Sequence, residues 1–257
     1  MRDLCDVNGL GRMTLLSEIK NDVATFNRHL SYVAGDSAIR YVFDREPRRE
    51  KERPAILSMR LETIISLFQG MRYKMPPPEI RGKLSESEFG EYYWKLVERN
   101  TKKPYELRRD QSADIAESFT EALSKLESSL EGEGFEEAKR FPAFMSKLLH
   151  WSFPRGFPIR DQQSLKTMAC AARENTLGLR KCSQHYLSRN YNGVVDFFLL
   201  LRQELERSAG LDVLARLEEF DYASQAVPGR LRVRNTWLRI VDKWLWLRGR
   251  QKRRVLP

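Results

Sequence analysis

FEEAKRFPAFMSKLLHWSFPRGFPIRD, from Phe135 to Asp161, is the stretch on which the reading of this chain turns. Pro142 fits the first position of a helix, where its missing N–H leaves no hydrogen bond unmade. Phe144, Leu148, Leu149 and Trp151 follow at helical spacing until Pro154 stops the helix. A Pro-Arg-Gly turn comes next. Phe157-Pro158-Ile159 then reads as extended chain, because a residue before proline avoids the helical region. Asp161 stands where the following helix begins, and an aspartate there accepts backbone N–H bonds.

Outward from this stretch the apolar residues keep the same period. Leu15, Ile19, Val23 and Phe26 form one stripe. Leu57, Leu61, Ile64, Ile65 and Phe68 form a second, ending at Gly70. Ile115, Phe119, Leu123, Leu126 and Leu130 form a third, closed by Gly132 and Gly134. Val194, Phe197, Phe198, Leu201 and Leu205 describe a core helix, Leu211, Leu214 and Leu217 another. Trp237, Val241, Trp244 and Leu245 end the series. Strand signals are confined to short alternations such as Arg230-Leu-Arg-Val-Arg234. The spacing therefore predicts a mainly α protein. Arg45 to Pro54 reads as an exposed loop, and Pro76-Pro77-Pro78 as an extended turn. Val227-Pro-Gly-Arg230 separates the last helix from the rest.

The 257 residues suffice for one large domain or two lobes sharing a core. The longest apolar run, Phe197 to Leu201, is far too short to span a bilayer, and Asp3 and Asp6 interrupt any secretory pattern. Cys5, Cys170 and Cys182 are scattered and odd in number, as expected of a reducing cytoplasm. With His29, His150 and His185 they make no paired zinc-ligand spacing, so no metal is expected. Glycine-rich phosphate loops and the GxSxG nucleophile elbow are missing from the sequence, and no cofactor is expected.

The charge points to a partner. Lys and Arg number 45 against 35 Asp and Glu, a formal +10. Residues 230–257 alone net +9, residues 138–189 net +8, and residues 114–137 net −7. An acidic stretch thus precedes a basic middle segment around Asp161, and a basic tail closes the chain. Nucleic acid is the simplest polyanion to meet such a surface.

The Ser146-Lys147 pair followed by FPIRD resembles the core of the helix-hairpin-helix DNA glycosylases, in the branch similar to 8-oxoguanine DNA glycosylase. The run Arg239-Ile-Val-Asp242-Lys-Trp244-Leu-Trp246 looks like that branch's closing helix, which packs under the active site. The resemblance covers about a third of the chain. It implies a two-lobed helical domain over 1–257, with an N-terminal helical part over 1–113 and a motif-bearing part over 114–257. Two departures stand out. Phe141-Pro142-Ala143-Phe144 replaces the family's glycine turn, so the hairpin is degenerate. Lys147 and Asp161 lie 14 residues apart, about one helical turn closer than in members that also cut the strand.

What the resemblance implies is removal of a damaged or modified base from double-stranded DNA by a monomeric cytoplasmic enzyme. The base is flipped from the stack, and Asp161 stabilises the cationic sugar and activates water. Lys147 matches the lysine that forms a Schiff base where strand cleavage occurs; hydrolysis alone is favoured here because of the spacing. Divergence from ordinary repair members points to modified bacteriophage DNA and antiviral defence. Ser146, His150, Trp151, Phe153, Arg155, Phe157 and Arg160 are candidates for base or DNA contact, and Arg250, Lys252, Arg253 and Arg254 for an electrostatic clamp.

Each role has a plainer counterpart. Asp161 can be a helix cap, and Lys147 a phosphate contact or solvated side chain. Trp151 and Phe153 can be core, His150 a core histidine bonded to backbone, and the tail a solvated terminus. A non-catalytic nucleic-acid-binding protein on a glycosylase-like scaffold is the rival reading.

Overall fold

The computed structural model describes residues 15–67, 78–135, 141–173 and 190–251, together with Leu187. Every regular element among them is helical. In order they are α1 (Leu15–Asn27), α2 (Leu30–Phe43), α3 (Arg53–Leu67), α4 (Pro78–Leu84), α5 (Glu88–Lys102), α6 (Ser112–Gly132), α7 (Pro142–Ser152), α8 (Gln162–Arg173), α9 (Tyr191–Ala209), α10 (Val213–Ser224) and α11 (Trp237–Gln251). The mainly α class read from the spacing holds.

The chain forms two compact units, one of residues 34–160 and one of residues 1–33 with 161–257. The dividing points are therefore Val33/Ala34 and Arg160/Asp161, whereas the expected lobes meet at 113/114.

In the unit of residues 34–160, α5 packs on α6, and α7 packs on both α3 and α6. Leu57, Leu61 and Ile64 of α3 turn inward with Phe89 and Tyr93 of α5, Ile115, Phe119 and Leu126 of α6, and Leu148 and Leu149 of α7. Each such side chain contributes about 1.5–3 kcal/mol by leaving water. Arg60 is buried among them. Arg60 donates to Tyr93 Oη at 2.7 Å and to the carbonyls of Phe43 and Arg45 at 2.8 Å, with Phe43 and Trp94 ring centroids 5.3 and 5.6 Å from its guanidinium.

In the other unit α11 is the central element, packed against α8, α1 and α10. Val194, Phe197, Phe198, Leu201 and Leu205 are all buried, as the spacing of α9 requires, and Phe198 meets Trp237 at 6.0 Å between centroids. A polar network lies inside this unit. Lys243 Nζ donates to Asp221 Oδ1 at 2.7 Å and to Asn27 Oδ1 at 2.9 Å. Gln225 and Asn235 donate to Asp221 Oδ2 at 3.0 and 2.9 Å, and Asn27 Nδ2 donates to Oδ1 at 3.0 Å. Burial pushes the Asp221 carboxyl up, but the Lys243 ammonium and the donated hydrogen bonds outweigh it and hold it below the usual carboxylate range.

Several local readings change. Leu211 lies before α10 and is 87% exposed; the buried stripe of that helix is Val213 and Leu217. Ala122, and not Leu123, completes the buried face of α6. The polar stretch from Arg45 to Pro54 contains a 3-10 turn at Glu50–Glu52 and gives way to α3 at Arg53. Pro78 begins α4, because proline suits a helix start as well as an extended turn. Phe68, Gly70, Pro76 and Pro77 lie outside the described residues.

Candidate active site

Pro142 takes the first position of α7, and the helix ends at Ser152 ahead of Pro154. The chain then turns through Pro154-Arg155-Gly156. Gly156 is required at this turn, since a Cβ there would lie 2.5 Å from Tyr105 Cβ. Leu107 N–H donates to Arg155 O at 2.8 Å, so the segment after α5 braces the same turn.

Beyond the turn, two side chains of α7 hold the Phe157–Arg160 segment. His150 Nδ1 is 2.8 Å from Phe157 O, and a carbonyl can only accept, so Nδ1 carries the proton. Ser146 Oγ accepts the Arg160 N–H at 3.0 Å. Positions i and i+4 share one helix face, which is why this serine and histidine reach one segment.

Asp161 is the next residue and caps α8. Its Oδ1 accepts the Gln163 N–H at 2.9 Å, and its carbonyl accepts Leu165 N–H at 2.9 Å. The side chain is half-buried. Helix α11 fixes this end of α8. Ser164 Oγ donates to Asp242 Oδ1 at 2.9 Å, and Arg239 pairs with the other oxygen of Asp242. Thr167 Oγ1 donates to Leu245 O at 2.8 Å. Gly249 brings the α11 backbone directly against Gln163, where any Cβ would collide with the Gln163 carbonyl. The Arg239–Trp246 run expected as a closing helix thus packs on the helix that Asp161 caps.

The remaining sequence-derived candidates separate clearly. Lys147 is only 3% exposed, which removes the solvated reading of its side chain. Phe153 and Phe157 are core residues: Tyr105 meets them at 5.4 and 5.1 Å between centroids, and they meet each other at 5.6 Å. Trp151 is buried beside His150, ring to ring at 5.5 Å. As folded, none of these three rings can serve as an exposed wedge. Ser146 and His150, expected as base or DNA contacts, both bond to backbone. Arg160 is largely buried, while Arg155 is exposed. Arg250 is exposed; its guanidinium lies 5.1 Å from the Trp246 ring and donates to Tyr32 Oη. Lys252, Arg253 and Arg254 lie outside the described residues.

Phe141 and Phe144, at the start of α7, are both buried, with ring centroids 6.2 Å apart. Tyr105, Ser164, Thr167 and Gly249 were not singled out from the sequence. Ser164 carried the one available signal, three residues beyond a cap and facing inward on a helix with an apolar stripe.

No protein-family model matches the chain, and no curated protein or solved structure matches it either.

Proposed function

We propose that this protein is a DNA glycosylase that takes a modified or damaged base out of the duplex and hydrolyses its N-glycosidic bond, leaving an abasic site. The observation that carries the reading is Asp161, a half-buried carboxylate fixed at the N-terminus of α8 by its own cap bond and by the contacts of α11 beneath. Departure of the base leaves positive charge on the sugar. A fixed negative charge beside C1′ lowers the barrier because it needs no reorganisation as that charge develops. The same carboxylate can take a proton from the attacking water. Unstacking the base costs a few kcal/mol, least for a damaged or mispaired one. The basic segments of the chain suit the phosphate backbone. A cytoplasmic enzyme acting on hypermodified bacteriophage DNA in defence fits the divergence from repair members.

The test is mass spectrometry of bases released from a panel of modified duplexes, including 8-oxoguanine and hypermodified phage DNA. Wild-type protein releases one of them and Asp161→Asn does not; equal release by both overturns the assignment. Borohydride trapping reads Lys147 separately, since only a Schiff base yields a covalent protein–DNA adduct.

One observation favours the rival reading of a non-catalytic binder: the cap bond to Gln163 already gives Asp161 a structural role. That reading expects salt-sensitive DNA binding, no abasic sites on any substrate, and no effect of Asp161→Asn on binding.

A further inference from the structure

We infer that Arg232 and Arg234, braced by Tyr222, form a phosphate-binding strip for the backbone of duplex DNA, separate from Asp161. The segment leading into α11 is extended at Arg232 (φ −71°, ψ 142°). Burial alternates along it as it does along a strand. Val233 and Asn235 are buried, and Gln225 accepts the Val233 N–H while Asn235 donates to Asp221, so the inner side is fixed. Arg232 and Arg234 consequently share the outer side. Both guanidiniums lie over the Tyr222 ring, 5.8 and 4.9 Å from its centroid.

No carboxylate pairs with Arg230, Arg232 or Arg234 among the described residues. Elsewhere in the same unit Arg202, Arg207, Arg216 and Arg248 each face one. A unit that pairs these four arginines, yet leaves two guanidiniums on one ring with no carboxylate partner among the described residues, presents a polyanion site. Stacking on Tyr222 holds the two planar forks before any ligand arrives, which reduces the entropy lost on binding. Two residues of extended chain span about 6.6 Å, so each fork can engage a different phosphate. The choice of DNA over another polyanion rests on the glycosylase reading above.

The experiment measures affinity of the full chain for a short unmodified duplex across a salt series, with an anionic-lipid vesicle as the competing polyanion. Arg232→Ala/Arg234→Ala weakens duplex binding about 10-fold or more. It also lowers the magnitude of the slope of log K against log salt by about 1.8, at about 0.9 for each phosphate no longer neutralised. Arg207→Ala/Arg216→Ala removes the same formal charge from paired arginines and changes the slope by less than half as much. Arg234→Ala alone lowers it by about 0.9, which keeps the test intact if the double variant fails to fold. Equal slopes for the two double variants overturn the strip, as does loss of vesicle binding with duplex binding unchanged. A wild-type chain that ignores the duplex overturns strip and glycosylase together. Strip-dependent binding without base release upholds the strip and removes the glycosylase.

Discussion

His150 Nδ1 donates to the carbonyl of Phe157 at 2.8 Å, and four residues earlier Ser146 Oγ accepts the Arg160 N–H at 3.0 Å. The FPIR segment has no strand partner among the described residues, so these side chains do for its backbone what a neighbouring strand would do in a sheet. Removing one leaves a buried backbone group unmatched, at about 1–3 kcal/mol. Ser146→Ala and His150→Phe should each reduce the unfolding free energy by that amount, lowering the urea midpoint with an unchanged m-value. A loss within about 0.5 kcal/mol would show the segment to be held by Phe157 packing alone.

Two glycines of the same unit should respond to alanine with opposite signs. Gly156→Ala drives a methyl group into Tyr105 Cβ, 2.5 Å away, and neither atom belongs to a flexible side-chain end. Overpacking of this kind costs about 1–3 kcal/mol. Gly82 lies in α4 with nothing within 4 Å of its would-be Cβ. Gly82→Ala should stabilise by about 0.5–1 kcal/mol by restricting the unfolded chain. Thermal denaturation of the two variants reads both signs directly.

The pair formed by Lys243 and Asp221 predicts an acid limb. Removing either partner strands a charge in the interior and costs about 3–5 kcal/mol. Asp221→Ala belongs at the upper end, because it also strips the acceptor from Asn27, Asn235 and Gln225. The folded state holds the Asp221 carboxyl below its unfolded range. Its contribution is therefore complete above about pH 3.9 and is lost as pH falls through the lower folded value. Urea midpoints measured between neutral and strongly acidic pH should fall less steeply for Asp221→Asn than for wild type. A parallel fall would mean that other carboxylates set the acid limb.

The helical class and most of the core were readable because apolar spacing is a local property. Val194 to Leu205 and Leu57 to Ile64 could be assigned as buried faces from the sequence alone. The roles of Ser146, His150 and the aromatic residues were not, since they depend on what α7 meets after the chain turns. A serine and a histidine spaced for one helix face look the same whether they bond to a base or to backbone. Tyr105 escaped notice because its partners Phe153 and Phe157 lie far along the chain. Gly249 sits in a basic terminal helix where a glycine suggests fraying, yet it admits the backbone of Gln163. The burial of Lys243 and Arg60 has no local signal, because the groups that enclose them come from distant parts of the chain.

Asp161 can be tested as cap and as carboxylate separately, because asparagine caps a helix about as well as aspartate does. Asp161→Asn keeps an oxygen for the Gln163 N–H and removes the negative charge. Asp161→Ala removes both. On the proposed chemistry, Asp161→Asn holds the wild-type Tm and abolishes base release, whereas Asp161→Ala abolishes release and also loses about 0.5–2 kcal/mol. If the aspartate is only a cap, Asp161→Asn is silent in both assays and Asp161→Ala shows the stability loss alone. Ser164→Ala supplies the intermediate case. It leaves Asp161 intact but breaks the 2.9 Å bond to Asp242 that helps fix this end of α8. Its base release should fall by a smaller factor than that of Asp161→Asn, with DNA affinity unchanged. Undiminished release at reduced stability would limit Ser164 to packing α8 on α11.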